Sequence, residues 1–345
     1  ADVASAELKG ISSELLQSSL SEVSLAINKG NPAANGIVID FSQTTLQSSI
    51  AGQDSISIDF DGSHGELLRV EADLGINIAD YFEADGRFFF EMSEKREITL
   101  SDASTVEANM LLIGASSLDA RVVSDEELVS VSDVSFGLAL ITATDPSDTR
   151  SWYSLKGKVG FNNGILSGLT LAVNQAEGTN AVVDYKNAPV QVGIGRGNFL
   201  AIDFDGAKGK LLSAASGALS LNLFNFLTID GSVGVESSTS RTISLSDDSQ
   251  IKANVNITSA YGVQAFAGLN GPAENPDAIG IALSDVNFSL LQMTSTDSSD
   301  TRSWTSLLAE VGSASLVGFG DIELTSPVTD LKIKINQVQG AEDEV

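Results

Sequence analysis

The sequence predicts an all-β chain of tandem stacked β-repeats, each a β-sandwich or flattened β-solenoid segment, with strands shared between neighbouring units. Three observations predict it. DFDG at 59–62 returns as DFDG at 203–206, 144 residues on, and a fixed period marks a repeat architecture. Apolar and polar residues alternate over short runs, the period of a half-buried strand. Turn phrases are dense, with 31 glycines in the chain, and almost none of it reads as helix.

In chain order, residues 1–50 read as a partial repeat. SAELKG at 5–10 matches SASLVG at 313–318, and LAINKG at 25–30 matches IKINQV at 333–338. A looser copy, LTLAVNQ at 169–175, puts Asn174 in the place of Asn28 and Asn336. Residues 11–23 have the spacing of an amphipathic helix, but their counterpart at 319–331 contains Pro327. Equivalent positions of a repeat share a backbone, so strand is the reading and a short helix the alternative.

The first full repeat spans 51–198 and the second 199–345. Ile56, Ile58 and Phe60 alternate with Ser57 and Asp59. Leu74, Ile76 and Ile78 map onto Leu219, Leu221 and Leu223, now 145 residues apart. Asp85-Gly86 and its copy Asp230-Gly231 read as hairpin turns. ITLSD at 98–102 returns as ISLSD at 243–247. The copies diverge between 110 and 130, and the second carries NGPAENPD at 270–277, an insertion that belongs in a loop. SDVSFGLAL at 132–140 and DPSDTRSW at 145–152 then match SDVNFSLLQ at 284–292 and DSSDTRSW at 297–304. Ile58, Phe60, Leu67, Ile202, Phe204 and Leu211 hold the best-matched apolar positions and are predicted to be core.

Composition narrows the function. Lys and Arg number 19 against 46 Asp and Glu, a formal net charge of −27. Such a surface repels nucleic acid and anionic membranes and attracts divalent cations and basic partners. The absence of cysteine excludes disulfides, thiolate metal sites and a cysteine nucleophile, and favours an exported protein, extracellular or at the cell surface. No apolar run reaches the ~18 residues that span a bilayer, so no membrane insertion is expected. The start, Ala1-Asp2-Val3, lacks a Met and a leader and reads as a mature or excised piece.

Two groups of residues are candidate sites. Asp59 and Asp61, with Asp203 and Asp205, stand two apart on a strand, so both carboxylates of each pair face one side ahead of a glycine turn. Calcium takes six to eight oxygens, and such turns supply several. The alternative is a solvated turn with backbone-capping aspartates. Neither the RTX nonapeptide nor the EF-hand loop is present. Arg150 and Trp152, repeated as Arg302 and Trp304, hold the only two Trp residues and are spaced for a stacked cation–π contact. They form either a sugar-binding platform or a structural corner, in which Trp anchors a loop and Arg clamps an Asp. His64, the sole histidine, gives way to Lys208 in the next copy. It has no neighbouring nucleophile motif, so no enzyme activity is expected.

These long acidic, Cys-free, Gly-rich units with DFDG turns and a repeated DTRSW resemble segments of giant repetitive surface proteins of bacteria, adhesin-like proteins of RTX type among them. The resemblance implies secretion, calcium-assisted rigidity and a role in attachment, biofilm or filament formation. The expected function is a structural module of a large extracellular protein: a stalk, filament or adhesin extender whose partners are neighbouring repeats or copies of itself. The alternatives are a carbohydrate-binding module for surface glycans and a self-assembling filament subunit in which 1–50 accepts or donates strands between chains.

Overall fold

The computed structural model describes residues 2–6, 16–30, 37–42, 45–48, 56–58, 60–62, 65–78, 82–123, 127–160, 166–195, 197–223, 225–319 and 328–340. The protein is nearly all β, built on a large open antiparallel sheet. A 3-10 turn lies at Gly206–Lys208, and Gly62 has the same 3-10 geometry in the earlier copy. The chain forms two compact units, one of residues 1–157 and 174–206, the other of 158–173 and 207–345.

In the first unit the strands are β1 (Asp2–Ala6), β2 (Leu16–Asn28), β3 (Leu46–Ser48), β4 (Ile56–Ile58), β5 (Leu67–Ile78), β6 (Phe82–Thr99), β7 (Thr105–Val123), β8 (Glu127–Ala143) and most of β9 (Ser151–Val159). After β10 (Leu166–Ser167), the end of β11 (Leu169–Glu177) returns to this unit, followed by β12 (Val190–Gly195) and β13 (Asn198–Ile202). The sheet order is β1-β2-β5-β6-β7-β8-β9-β11. The strand reading of the amphipathic stretch holds for its described part, which lies in β2.

The second unit carries β14 (Lys210–Leu223), β15 (Leu227–Ser244), β16 (Gln250–Leu269), β17 (Ile279–Ser295), β18 (Ser303–Val317) and β19 (Val328–Gln339), hydrogen-bonded in that order, with β10 on β14. The extra NGPAENPD lies in the β16–β17 connection, outside the ladder.

The sequence offset carries into local geometry. Leu67 pairs with Ser93, and Leu211 pairs with Ser238. The β6–β7 ladder slips between Ser93 and Arg96, the β15–β16 ladder between Ser238 and Arg241. The positive-φ residues Lys95 and Ser240 sit in those slips. Asp85-Gly86 and Asp230-Gly231 prove to be bulges inside β6 and β15, not hairpin turns. The glycines are needed for close approach: a Cβ on Gly86 would lie 2.9 Å from the Leu118 Cα, and one on Gly231 would lie 2.8 Å from the Val263 Cα. An Asp-Gly pair signals any tight backbone contact, of which a bulge is one.

The core of the first unit lies between its sheet and a second layer. Val182, Val183, Tyr185, Val192 and Ile202 come from the segment that contains β12 and β13; Leu112, Ala139, Ile141 and Trp152 come from β7, β8 and β9. All nine are sealed from solvent. Leu67, Ile202, Phe204 and Leu211 are buried as predicted. Phe60 is only half-buried and Ile58 is exposed. Ile58 lies on β4, which pairs with β3, and among the described residues the β3–β4 hairpin is not packed on a sheet in the way that β12 lies on β6, β7 and β8.

Candidate functional site

The second DFDG closes a hairpin that the sequence analysis did not see. Asp184 accepts hydrogen bonds from the backbone N–H groups of Lys186 and Gly206, at 3.1 and 3.0 Å. The Tyr185 N–H donates to the Phe204 carbonyl at 2.9 Å, and the two rings meet edge to face at 6.4 Å. The earlier copy does the same. Asp40 accepts from Ser42 and Gly62, the Phe41 N–H donates to the Phe60 carbonyl at 2.8 Å, and those rings meet at 6.3 Å. The signal was in the sequence: VIDF at 38–41 returns as VVDY at 182–185, 144 residues on.

Two of the four candidate calcium ligands bond lysines. The Lys156 ammonium donates to Asp203 at 2.8 Å, and the Lys186 ammonium to Asp205 at 2.9 Å. Asp61 is exposed, and Asp59 and His64 lie outside the described residues. Among the described residues no three His, Asp or Glu side chains are grouped as a metal site.

The Asp–Arg–Trp corner is present twice. Arg150 holds Asp148 with Nε and Nη2, the shortest contact 2.6 Å, and its guanidinium stacks 5.5 Å from the Trp152 ring centre. Arg302 repeats this with Asp300 and lies 5.3 Å from Trp304. The Trp152 ring is 1 % exposed and donates its indole N–H to the Ala181 carbonyl at 2.9 Å. The enclosed ring thereby links the sheet to the segment that leads into the hairpin. Trp304 is half-buried. Bonding to Arg302 is the main cause that lowers the Asp300 carboxyl from its ordinary value of 3.8 to about 2.

Beside the corner, the Ser154 hydroxyl contacts the Asn174 amide oxygen at 2.9 Å and the Tyr185 hydroxyl at 2.8 Å, while Asn174 donates to the Val183 carbonyl at 3.0 Å. Burial pushes the Tyr185 hydroxyl pKa up, and the Ser154 bond partly opposes that. Ser306 and Asn336 repeat the Ser–Asn pair at 2.7 Å, and Asn28 donates to the Ile39 carbonyl at 2.9 Å. The Asn that recurs in each copy of the sequence thus ties β2 and β11 to the segment that follows.

Part of the acidity is consumed in turns. In five Asp-x-Ser phrases one carboxylate oxygen, that of Asp40, Asp102, Asp145, Asp247 or Asp297, accepts from the Ser hydroxyl and its backbone N–H. These bonds hold all five carboxyls below their ordinary value, as bonding to the charged form must.

The hairpin seat is the other repeated feature. In the first unit β12 lies on β6, β7 and β8. A Cβ on Gly114 would lie within bonding distance of the Gly193 carbonyl, and one on Gly137 would lie 2.9 Å from Val192. The seat is therefore paved with glycine so that backbone can approach. The second unit has an open trough at the corresponding place, lined by Gly234, Ser259, Ser289 and Leu308.

No protein-family model, no curated protein and no solved structure matches this chain. No helix among the described residues is long and apolar enough to cross a membrane.

Proposed function

We propose that this chain is a structural, non-enzymatic module of a large secreted or cell-surface protein, a tandem β-repeat that serves as a stalk, filament or adhesin extender. The observation that carries the reading is how the repeated polar phrases are spent. Asp-x-Ser turns, Asp–Arg–Trp corners and Ser–Asn pairs recur at matching positions, and in each the polar atoms bond the backbone or one another. Groups spent on the backbone hold shape, which is what a load-bearing element requires. Calcium enters this reading only as a stabiliser of acidic turns, and at Asp203 and Asp205 it would have to displace Lys156 and Lys186.

Single-molecule pulling from both ends tests the proposal together with a glycan array. The expected result is discrete, high-force unfolding steps and no specific glycan. Specific sugar binding that Trp304→Ala abolishes while the fold persists would overturn it, as would featureless extension at low force.

A further inference from the structure

We propose that the open face of β15, β16, β17 and β18 is a docking site for the β3–β4 hairpin of a second copy of this chain, so that copies join head to tail. This rests on the structural reading above and names the partner.

The template for the contact is inside the molecule. At an offset of 144 residues, β3 and β4 correspond to β12 and β13, and the registers agree: Leu46 faces Ile58 as Val190 faces Ile202. Val190 and Ile202 are 7 % and 0 % exposed, whereas Leu46 and Ile58 are 51 % and 37 % exposed. Ile37 and Ile39 are also exposed, while their counterparts Ala181 and Val183 are buried. The hairpin is a formed donor with its apolar side open.

The second unit presents the reciprocal seat. Leu112, Ala139, Ile141, Ser154 and Asn174 are sealed under β12–β13 and its flanks, but their counterparts Ile257, Leu291, Met293 and Ser306 are half-buried and Asn336 is exposed. Leu308 and Val338 stand 45 % and 49 % exposed on the same face.

The sizes fit the second copy's hairpin rather than a generic cover. Val192 rests on Gly114 and Gly137. Its counterpart on the donor is the smaller Ser48, and the two glycines are replaced in the second unit by Ser259 and Ser289. Gly193 is held to glycine because a Cβ there would lie 2.4 Å from the Phe89 ring, and a Cβ on Gly195 would lie 2.7 Å from Arg87. In the sequence the donor has Ser49 and Ala51 at these positions, and the second unit has Gly234 and Ser232 in place of Phe89 and Arg87. Bulk removed on one side is added on the other. Charge changes too: Leu308 replaces Lys156, the lysine that holds Asp203, and Lys334 lies directly across from Leu308.

A donor at one place and an acceptor at another make a heterologous contact, which propagates instead of closing. Copies at −27 repel, so screening should favour the contact.

Sedimentation velocity across the micromolar range tests it. The unmodified chain should form an open-ended series that grows with concentration and salt. Leu46→Asp with Ile58→Asp should remain monomeric, as should Gly234→Phe with Leu308→Asp. All four sites are solvent-facing or open, and circular dichroism checks that both variants stay folded. An equimolar mixture of the two variants should give a complex of two chains and nothing larger, because each retains one intact half. A wholly monomeric unmodified chain, a closed symmetric dimer, or association that survives in either variant overturns the docking. Pulling and glycan results are independent of this outcome, so the structural reading can stand if the docking fails.

Discussion

Leu112, Ala139, Ile141 and Trp152 lie beneath a second layer and are sealed from solvent, whereas Ile257, Leu291, Met293 and Trp304 remain partly open on the equivalent face. The ladders under the two faces are otherwise alike. The same bulges, positive-φ residues and Asp-x-Ser turns occupy matching positions in both. The difference teaches that register and turn chemistry build the sheet locally, without the cover. The cover adds burial. Enclosing a large apolar side chain is worth ~1.5–3 kcal/mol over leaving it exposed, so the two units should respond unequally to the same truncation.

The largest effect should come from the Trp pair. Trp152→Ala should cost ~3–5 kcal/mol, since it empties an enclosed site and frees the Ala181 carbonyl. Trp304→Ala should cost about half of that or less, because its ring keeps part of its solvent contact and the vacated space is open. Phe204→Ala against Phe60→Ala should show the same inequality. Urea unfolding curves of the four variants check this. Equal losses within each pair would mean that the cover contributes little and that the contrast in burial is energetically empty.

A sharper test is volume at the seat. Gly114→Ala should destabilise by ~1–3 kcal/mol, because an added methyl runs into the Gly193 carbonyl and overpacking carries that order of cost. The counterpart change, Ser259→Ala, removes only one weak hydroxyl contact to Ser289 at 3.3 Å and should be close to neutral in dilute protein. A control is available in Ser93 and Ser238, whose hydroxyls are buried in both units and find no partner among the described residues. Replacing either by Ala should be neutral or slightly stabilising, and equally so, since no buried hydroxyl is left unpaired.

Much of the fold was legible in the sequence because strand periodicity and turn chemistry are local. Period-two alternation, the strand reading of β2, the loop placement of 270–277 and the Arg–Trp stack all rest on neighbours within a few residues. The Asp-Gly bulges were misread because the pair signals a close approach without saying what approaches. Leu118 and Val263 come from the neighbouring strand, and only pairing reveals them. The burial of Ile58 and Phe60 was misjudged for a related reason. Their alternation matches that of Ile202 and Phe204, but enclosure depends on which sheet lies beneath, and that is a long-range fact. The hairpin seat is written in the repeat as exchanges between glycine and larger residues, which mean nothing until Gly114 is seen against Gly193.

The smallest effect should appear in acid, and it probes what the units share. Bonds from Arg302 and Arg150 hold the Asp300 and Asp148 carboxyls low, and the turn carboxyls of Asp102, Asp247, Asp145 and Asp297 are held low by their serines. A carboxylate whose folded pKa lies below its unfolded value stabilises the fold above the unfolded value. It loses that contribution as pH falls through the folded one. For Asp300 the window runs from 3.8 down to about 2. The four turn carboxyls are solvent-exposed and the two corner carboxyls part-buried, so each contributes modestly, and relief of the −27 charge opposes the loss as acid is added. Urea midpoints should therefore hold or rise on approach to the window and fall within it. Asp300→Asn should lower the midpoint at neutral pH and flatten the acid limb, because the amide keeps the acceptor oxygen but does not titrate. Asp148→Asn should do the same to a similar degree, since both corners make the same bonds irrespective of cover. A flattening seen only for Asp148→Asn would show that the corner depends on the second layer, and that the two units share less of their framework than their geometry shows.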